Sequence, residues 1–395
     1  MKRGLGLILA IIFMSIPVAN AYEAESSYKD LRSEFEALIS EQLSNINTNE
    51  WEPYLSYIED EGSFITKDQT PLEIISGLLT GKLSFSAEDL LKEILAGLVK
   101  SLTANFSLLA KIIAIAIICS LFSNLKGSFA SDSIGEIGYF VCYSSAMILI
   151  VQNLIKIISV ASDGIEKMVG FMQILYPLLI GLLAALGNLT TSTILQPSVG
   201  ILIASVSTLL KNIMLPLIST TAVVILINHL GEEEKLKKLS SLLKNSCIWI
   251  ITGTFTIFLG VLTIQGVMSS SFDSLSIRTA KFAIDSFVPI MGKLFSQSVD
   301  TVIGCSLLVK NAVGVSGLLI IGLIALVPAL KILALLVTFK LSSALIEPIS
   351  DKRLVECLNN MGNLLVVLFI TVVGIAILFY MTISLIIGSG NIISA

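Results

Sequence analysis

Seven side chains between residues 278 and 311 have the types and spacing to do chemistry: Arg278, Lys281, Asp285, Lys293, Asp300, Lys310 and Asn311. They stand among segments apolar enough to cross a membrane. Charged and amide groups are costly there unless they face water or are held in protein for a purpose. Arg278, Lys281 and Asp285 fall on one helical side at i, i+3 and i+7, and Lys281 with Asp285 forms an i, i+4 pair. Two readings stand. These groups line a hydrated interface or grip a partner, or an amphipathic helix lies on the membrane with a solvated face.

Catalysis is not among the expectations. The chain has one histidine, His229, and carries no Walker-type phosphate loop, no His-Glu-x-x-His and no Gly-x-Ser-x-Gly. Cys119, Cys142, Cys247, Cys305 and Cys357 are too far apart in sequence for a metal-ligand pair and read as small apolar helix residues. His229, at the end of an apolar span, reads as an interfacial residue. We therefore expect no enzyme, no metal and no cofactor.

The elements that must position the polar stretch follow from composition. Hydrophobic residues make up 54% of the chain and charged residues 14%, with a mean hydropathy of +0.90. Soluble domains carry about 25% charged residues, so the fold class is all-α, a polytopic helical membrane protein. Charge is unevenly placed: residues 22–100 hold 16 Asp and Glu against 6 Lys and Arg. An acidic head on a mildly basic body excludes nucleic acid as a partner, since phosphate binding needs a basic surface.

Residues 1–21 read as a secretory signal peptide. Lys2 and Arg3 lead an apolar core, Leu5–Ile16, and Ala19-Asn-Ala21 offers a cleavage site. Residues 22–107 follow as an acidic, helical, extracytoplasmic segment. Leu31, Phe35, Leu38, Ile39 and Leu43 share one helical face, and a turn-rich break follows around Pro53, Gly62 and Pro71.

About eight apolar spans come next: 108–125, 139–159, 171–186, 194–210, 213–228, 246–268, 312–338 and 362–387. The loops 126–138, 229–245 and 339–361 collect lysine and arginine, which makes them cytoplasmic by the positive-inside rule. The 188–228 region is the weak point, where Pro197, Pro216 and Lys211 fit a re-entrant hairpin or broken helix. Asn105, Asn153 and Asn188, near span ends, read as caps or interhelical hydrogen bonds, and Lys111 as a snorkelling residue.

The later half repeats itself in parallel. Lys237–Asn245 lines up with Lys352–Asn360 at a spacing of 115, and Pro177 and Pro216 match Pro289 and Pro328 at 112. The expected organisation is a first transmembrane hairpin (108–170), repeat unit 1 (171–268) and repeat unit 2 (269–395). Interrupted helices and repeats are common in transporter folds.

Several short stretches carry a family likeness: Asn105-Phe-Ser-Leu-Leu109, Tyr139-Phe-Val-Cys-Tyr143, Met168-Val-Gly-Phe-Met172, Leu262-Thr-Ile-Gln-Gly-Val267, Arg278–Phe282 and Gly304–Gly314. With them the chain resembles the stage III sporulation protein AE family of endospore-forming bacteria over nearly its whole length. The resemblance implies a multi-pass protein of the mother-cell membrane around the engulfed forespore. It implies partners among the other stage III sporulation A operon membrane proteins and, indirectly, stage II sporulation protein Q. Together they are thought to form a channel or secretion-like complex that sustains late forespore development.

The expectation is thus a non-enzymatic membrane component of that channel, with homo-oligomerisation left open. The alternative is an autonomous secondary transporter with its site at the interface of the two repeats. A weaker third reading is a receptor that senses a ligand through its acidic head.

Overall fold

The computed structural model describes residues 49–61, 73, 75, 77, 87–125, 132–230, 235–287 and 292–389; the signal peptide and the apolar face of residues 31–43 lie outside them. Side chains from 267 to 303 also lie outside the described residues. No strand occurs among the residues described.

A 3-10 turn, Asn49–Trp51, leads into α1, Glu52–Glu61. Then come α2, Ala87–Leu125; α3, Asp132–Ala185; α4, Leu189–Leu209; α5, Leu215–Leu230; α6, Lys237–Phe287; α7, Gly292–Ile346; and α8, Lys352–Ser389. A π-helical turn, Leu210–Met214, joins α4 to α5 without a break.

Six helices among the described residues are long and apolar enough to cross a membrane, where the sequence suggested about eight. Two expected pairs of spans fuse. Residues 139–159 and 171–186 belong to the single helix α3, and 194–210 and 213–228 to the continuous α4–α5. The polar groups that suggested turns are carried on helix faces instead. Asp163 and Glu166 are exposed while Gly164, Ile165, Met168 and Val169 beside them are buried.

The π turn has a local cause. Pro216 has no N–H to give the carbonyl four residues back, and its ring crowds that carbonyl. The ladder widens just upstream, where the Leu215 N–H bonds Leu210 O five residues away. A re-entrant hairpin is therefore not formed. Lys211, on the widened turn, reaches Glu166 of α3 at 3.3 Å. Both side chains are more than 60% exposed, so this pair contributes at most about 1 kcal/mol.

The α3–α4 turn is a Schellman motif. Gly187 has φ 85°, its N–H bonds Ala184 O at 2.9 Å, and Asn188 N bonds Leu183 O at 3.3 Å. Glycine takes that left-handed conformation without a Cβ penalty.

The centre of the bundle is α7, which packs on α2, α3, α6 and α8, most extensively on α8. Its sequence explains this, because a helix apolar on all sides is stable only when surrounded. Where α3 crosses it, Gly164 faces the Pro328 ring so closely that a Cβ would stand 2.6 Å from the ring's Cγ. Small residues permit such close approach of helices.

The described part of the acidic segment is not a detached head. Trp51, Leu55 and Ile58 of the first turns are buried, and α1 packs on α7. Trp51 meets Phe171 of α3 edge-on at 5.3 Å between ring centroids, and Tyr54 meets the same ring at 5.4 Å. Lys167 lies 5.8 Å from both the Tyr54 and Tyr57 ring centres, a cation–π clasp on the outer side.

Candidate functional site

The two ends of the bundle differ, and the difference sets the frame for any site. The start of α3, the end of α5 and the α7–α8 turn meet at one end. There Tyr139 OH donates to Asp351 Oδ2 at 2.9 Å, and Tyr143 OH donates to His229 O at 2.5 Å. Asp351 also caps α8, accepting the Arg353 N–H at 3.0 Å. Lys340 donates to Asn359 and Asn363 at 2.6 and 2.7 Å. The described parts of the three basic stretches that the sequence assigned to one side share this end of the molecule.

His229 stands in the last turn of α5, at this end of the bundle. It is 3% exposed, with Nδ1 hydrogen-bonded to Ile225 O, a carbonyl of its own helix. Four of the cysteines are buried, Cys142 is half-buried, and all five are free.

From that end an apolar belt rises. On α3 the exposed large apolar side chains are Ile137, Phe140, Val141, Ile148 and Ile155, and beyond Ile155 the helix exposes none up to Ala185. Exposed apolar residues also include Val223 and Ile227 of α5 and Trp249, Ile257 and Ile264 of α6, and farther from that end Leu189 and Ile201 of α4 and Leu91, Leu95 and Val99 of α2. The α3 run of 18 residues is about 27 Å long, close to the ~30 Å of a bilayer's hydrocarbon. Above it, α3 continues for 30 residues, roughly 45 Å.

Of the seven sequence-predicted residues, Arg278, Lys281 and Asp285 fall on the helical backbone of α6, and Lys293 and Asp300 on that of α7. Their side chains lie outside the described residues. Lys310 and Asn311 are described. Lys310 is fully buried, and its ammonium donates to Ile387 O at 2.8 Å, in the last turn of α8.

The last carbonyls of a helix have no partners within it, and a cation there also meets the negative end of the helix dipole. The geometry therefore gives Lys310 the role of an interhelical cap. Lys310→Met keeps the stem's packing and removes the donor. It is expected to loosen the last turn of α8 at a cost of about 1–2 kcal/mol, read as faster amide exchange at residues 385–389 with the remaining helices unchanged.

A cavity of about 440 Å³ opens elsewhere, between α2, α3 and α7. Its polar lining comes from Glu93, Lys100, Ser101 and Asn105 of α2, Asn153 and Lys156 of α3, and Lys331 of α7. Lys100 and Lys156 are exposed and Lys331 is half-buried. Asn105 and Asn153 do not bridge helices as expected. Each donates to a carbonyl four residues back in its own helix, at 3.0 and 2.8 Å, leaving its amide oxygen toward other donors. Lys111, which the sequence singled out on α2, is exposed and does not line the cavity.

The three lysines went unnoticed because each is a lone charge in an apolar run. That isolation was the available signal. No group of three or more His, Cys, Asp or Glu side chains able to hold a metal occurs among the described residues.

Against known proteins, the chain matches the family described as stage III sporulation protein AE over residues 70–390. It is 32% identical over 314 residues to the stage III sporulation protein AE of Bacillus subtilis (strain 168), covering 80% of this chain and 79% of that protein. No solved structure matches it. A match over four-fifths of the sequence, joined to a bundle of six helices long and apolar enough to cross a membrane, places this chain in the stage III sporulation protein AE family.

Proposed function

We propose that the protein is a non-enzymatic, multi-pass subunit of a channel or secretion-like complex. It would sit in the mother-cell membrane around the forespore, with its acidic N-terminal segment on the extracytoplasmic side. The membership in a sporulation family supports the setting, and the basic turns gathered at one end support that end as cytoplasmic. One observation carries the assembly role. Helix α3 runs unbroken from Asp132 to Ala185, 54 residues and roughly 80 Å, against the ~30 Å of a bilayer's hydrocarbon, with α1 docked beside its far part. A protein that only needed to cross a bilayer has no use for this projection. A subunit that must meet partners in the space between two membranes does. The energy for transport then comes from another subunit, and the two parallel units, 171–268 and 269–395, form a wall or platform.

The test is gentle detergent purification of the tagged chain from sporulating cells, with the co-purifying proteins identified. Recovery with the other stage III sporulation A operon membrane proteins is the expected result. Recovery alone, as a defined homo-oligomer, would overturn the proposal and favour the autonomous transporter.

A further inference from the structure

We propose that the cavity between α2, α3 and α7 is a binding site for the phosphate of an anionic phospholipid. Three lysines, Lys100, Lys156 and Lys331, converge on it against one carboxylate, Glu93, leaving positive charge in excess whatever pairs Glu93 makes. Asn105 and Asn153 each spend one amide hydrogen on a carbonyl of their own helix, and the site's positive charge comes from the three lysines. A phosphate diester, with one negative charge shared by two non-bridging oxygens, suits separate point donors of this kind, since lysine binds phosphate as a compact cation.

The position decides the source of that phosphate. On α3 the cavity runs from Asn153 to Val160 beside exposed Ile155, and on α2 the exposed Leu91, Leu95 and Val99 lie to one side of Lys100 and Phe106 to the other. The cavity therefore opens on an apolar, lipid-compatible surface. Val99 and Ile155, the sequence neighbours of Lys100 and Lys156, are 58% and 63% exposed, and Phe106 beyond Asn105 is 67% exposed. They give acyl chains an apolar surface beside the charged one. A free phosphate ion would have no use for it. A lysine beside an anionic lipid surface contributes on the order of a fivefold change in affinity.

The experiment uses the full chain in detergent, with bound lipid counted by native mass spectrometry. Phosphatidylglycerol, phosphatidylcholine and inorganic phosphate are titrated separately. Wild type is expected to retain phosphatidylglycerol at least about tenfold more tightly than phosphatidylcholine, with millimolar inorganic phosphate failing to displace it. The triple variant Lys100→Gln, Lys156→Gln, Lys331→Gln should abolish the preference. The single variant Lys156→Gln, at an exposed position, should weaken it about fivefold and guards against a misfolded triple variant. Lys111→Gln should leave it unchanged. Equal loss in Lys111→Gln would mean diffuse surface charge and would overturn the site. Displacement by inorganic phosphate would overturn the lipid as its source. No headgroup preference in wild type would sink the proposal outright.

Discussion

Replacing Gly164 with leucine is expected to prevent the bundle from closing. The missing Cβ is what lets α3 lie against Pro328 of α7, and a methyl at that position would stand 2.6 Å from the ring. A flexible side chain could swing aside. A proline ring fused to the backbone of the central helix cannot. The two helices must then separate, and α7 also packs on α2, α6 and α8, so the gap propagates through the core. Overpacking a core ordinarily costs 1–3 kcal/mol; with backbone as the obstacle we expect about 3 kcal/mol or more. The readout is the yield and thermal midpoint of monodisperse protein in detergent. Gly164→Ala should show a smaller loss of the same sign. A leucine variant with wild-type stability would mean that α3 and α7 do not cross as described.

Trp51→Ala should release α1 without unfolding the bundle. Trp51 is fully buried against Phe171, and truncating a buried tryptophan costs about 3–5 kcal/mol. A ten-residue helix cannot hold itself together alone, so its order depends on this anchor. Amide exchange across residues 52–61 should therefore accelerate by at least a hundredfold, while α7 and α8 stay protected. Protection unchanged at 52–61 would refute the anchor.

Alkaline pH should loosen the same contact. Burial first, and then the nearby Glu50 carboxylate, hold the Tyr54 phenol above its ordinary value. A raised phenol contributes stability that is fully present below about pH 10 and is lost as pH rises through the folded value. The docking of α1 should weaken in that range.

The all-helical class and the three basic ends could be read from sequence because both rest on composition: apolar runs and clustered lysines. The number of crossings could not. Residues 163–167 and 211–212 interrupt the hydropathy, and an interruption looks like a turn when the apolar runs on either side are each about a bilayer long. In the folded chain, Phe171, Met172, Leu175, Leu179 and Leu183 face other helices rather than lipid. Hydropathy records burial without saying whether protein or lipid does the burying.

The basic cavity was hidden for a related reason. Lys100, Lys156 and Lys331 are separated by 56 and 175 positions, and only the packing of three helices brings them to one place. Lys310 was visible as an oddity, but its partner is a backbone carbonyl 77 residues away, which no side-chain pattern announces.

The unbroken length of α3 has a mechanical consequence. A single helix of 54 residues, roughly 80 Å long, is a lever whose fulcrum lies near Gly164 and Pro328. Membrane helices occupy a wide range of tilts, and a change of only about 10° at that crossing would swing the tip, roughly 32 Å away, by roughly 5 Å. Anything that alters lipid thickness or crowding at one surface is thereby felt as displacement far above it, without any change in the fold.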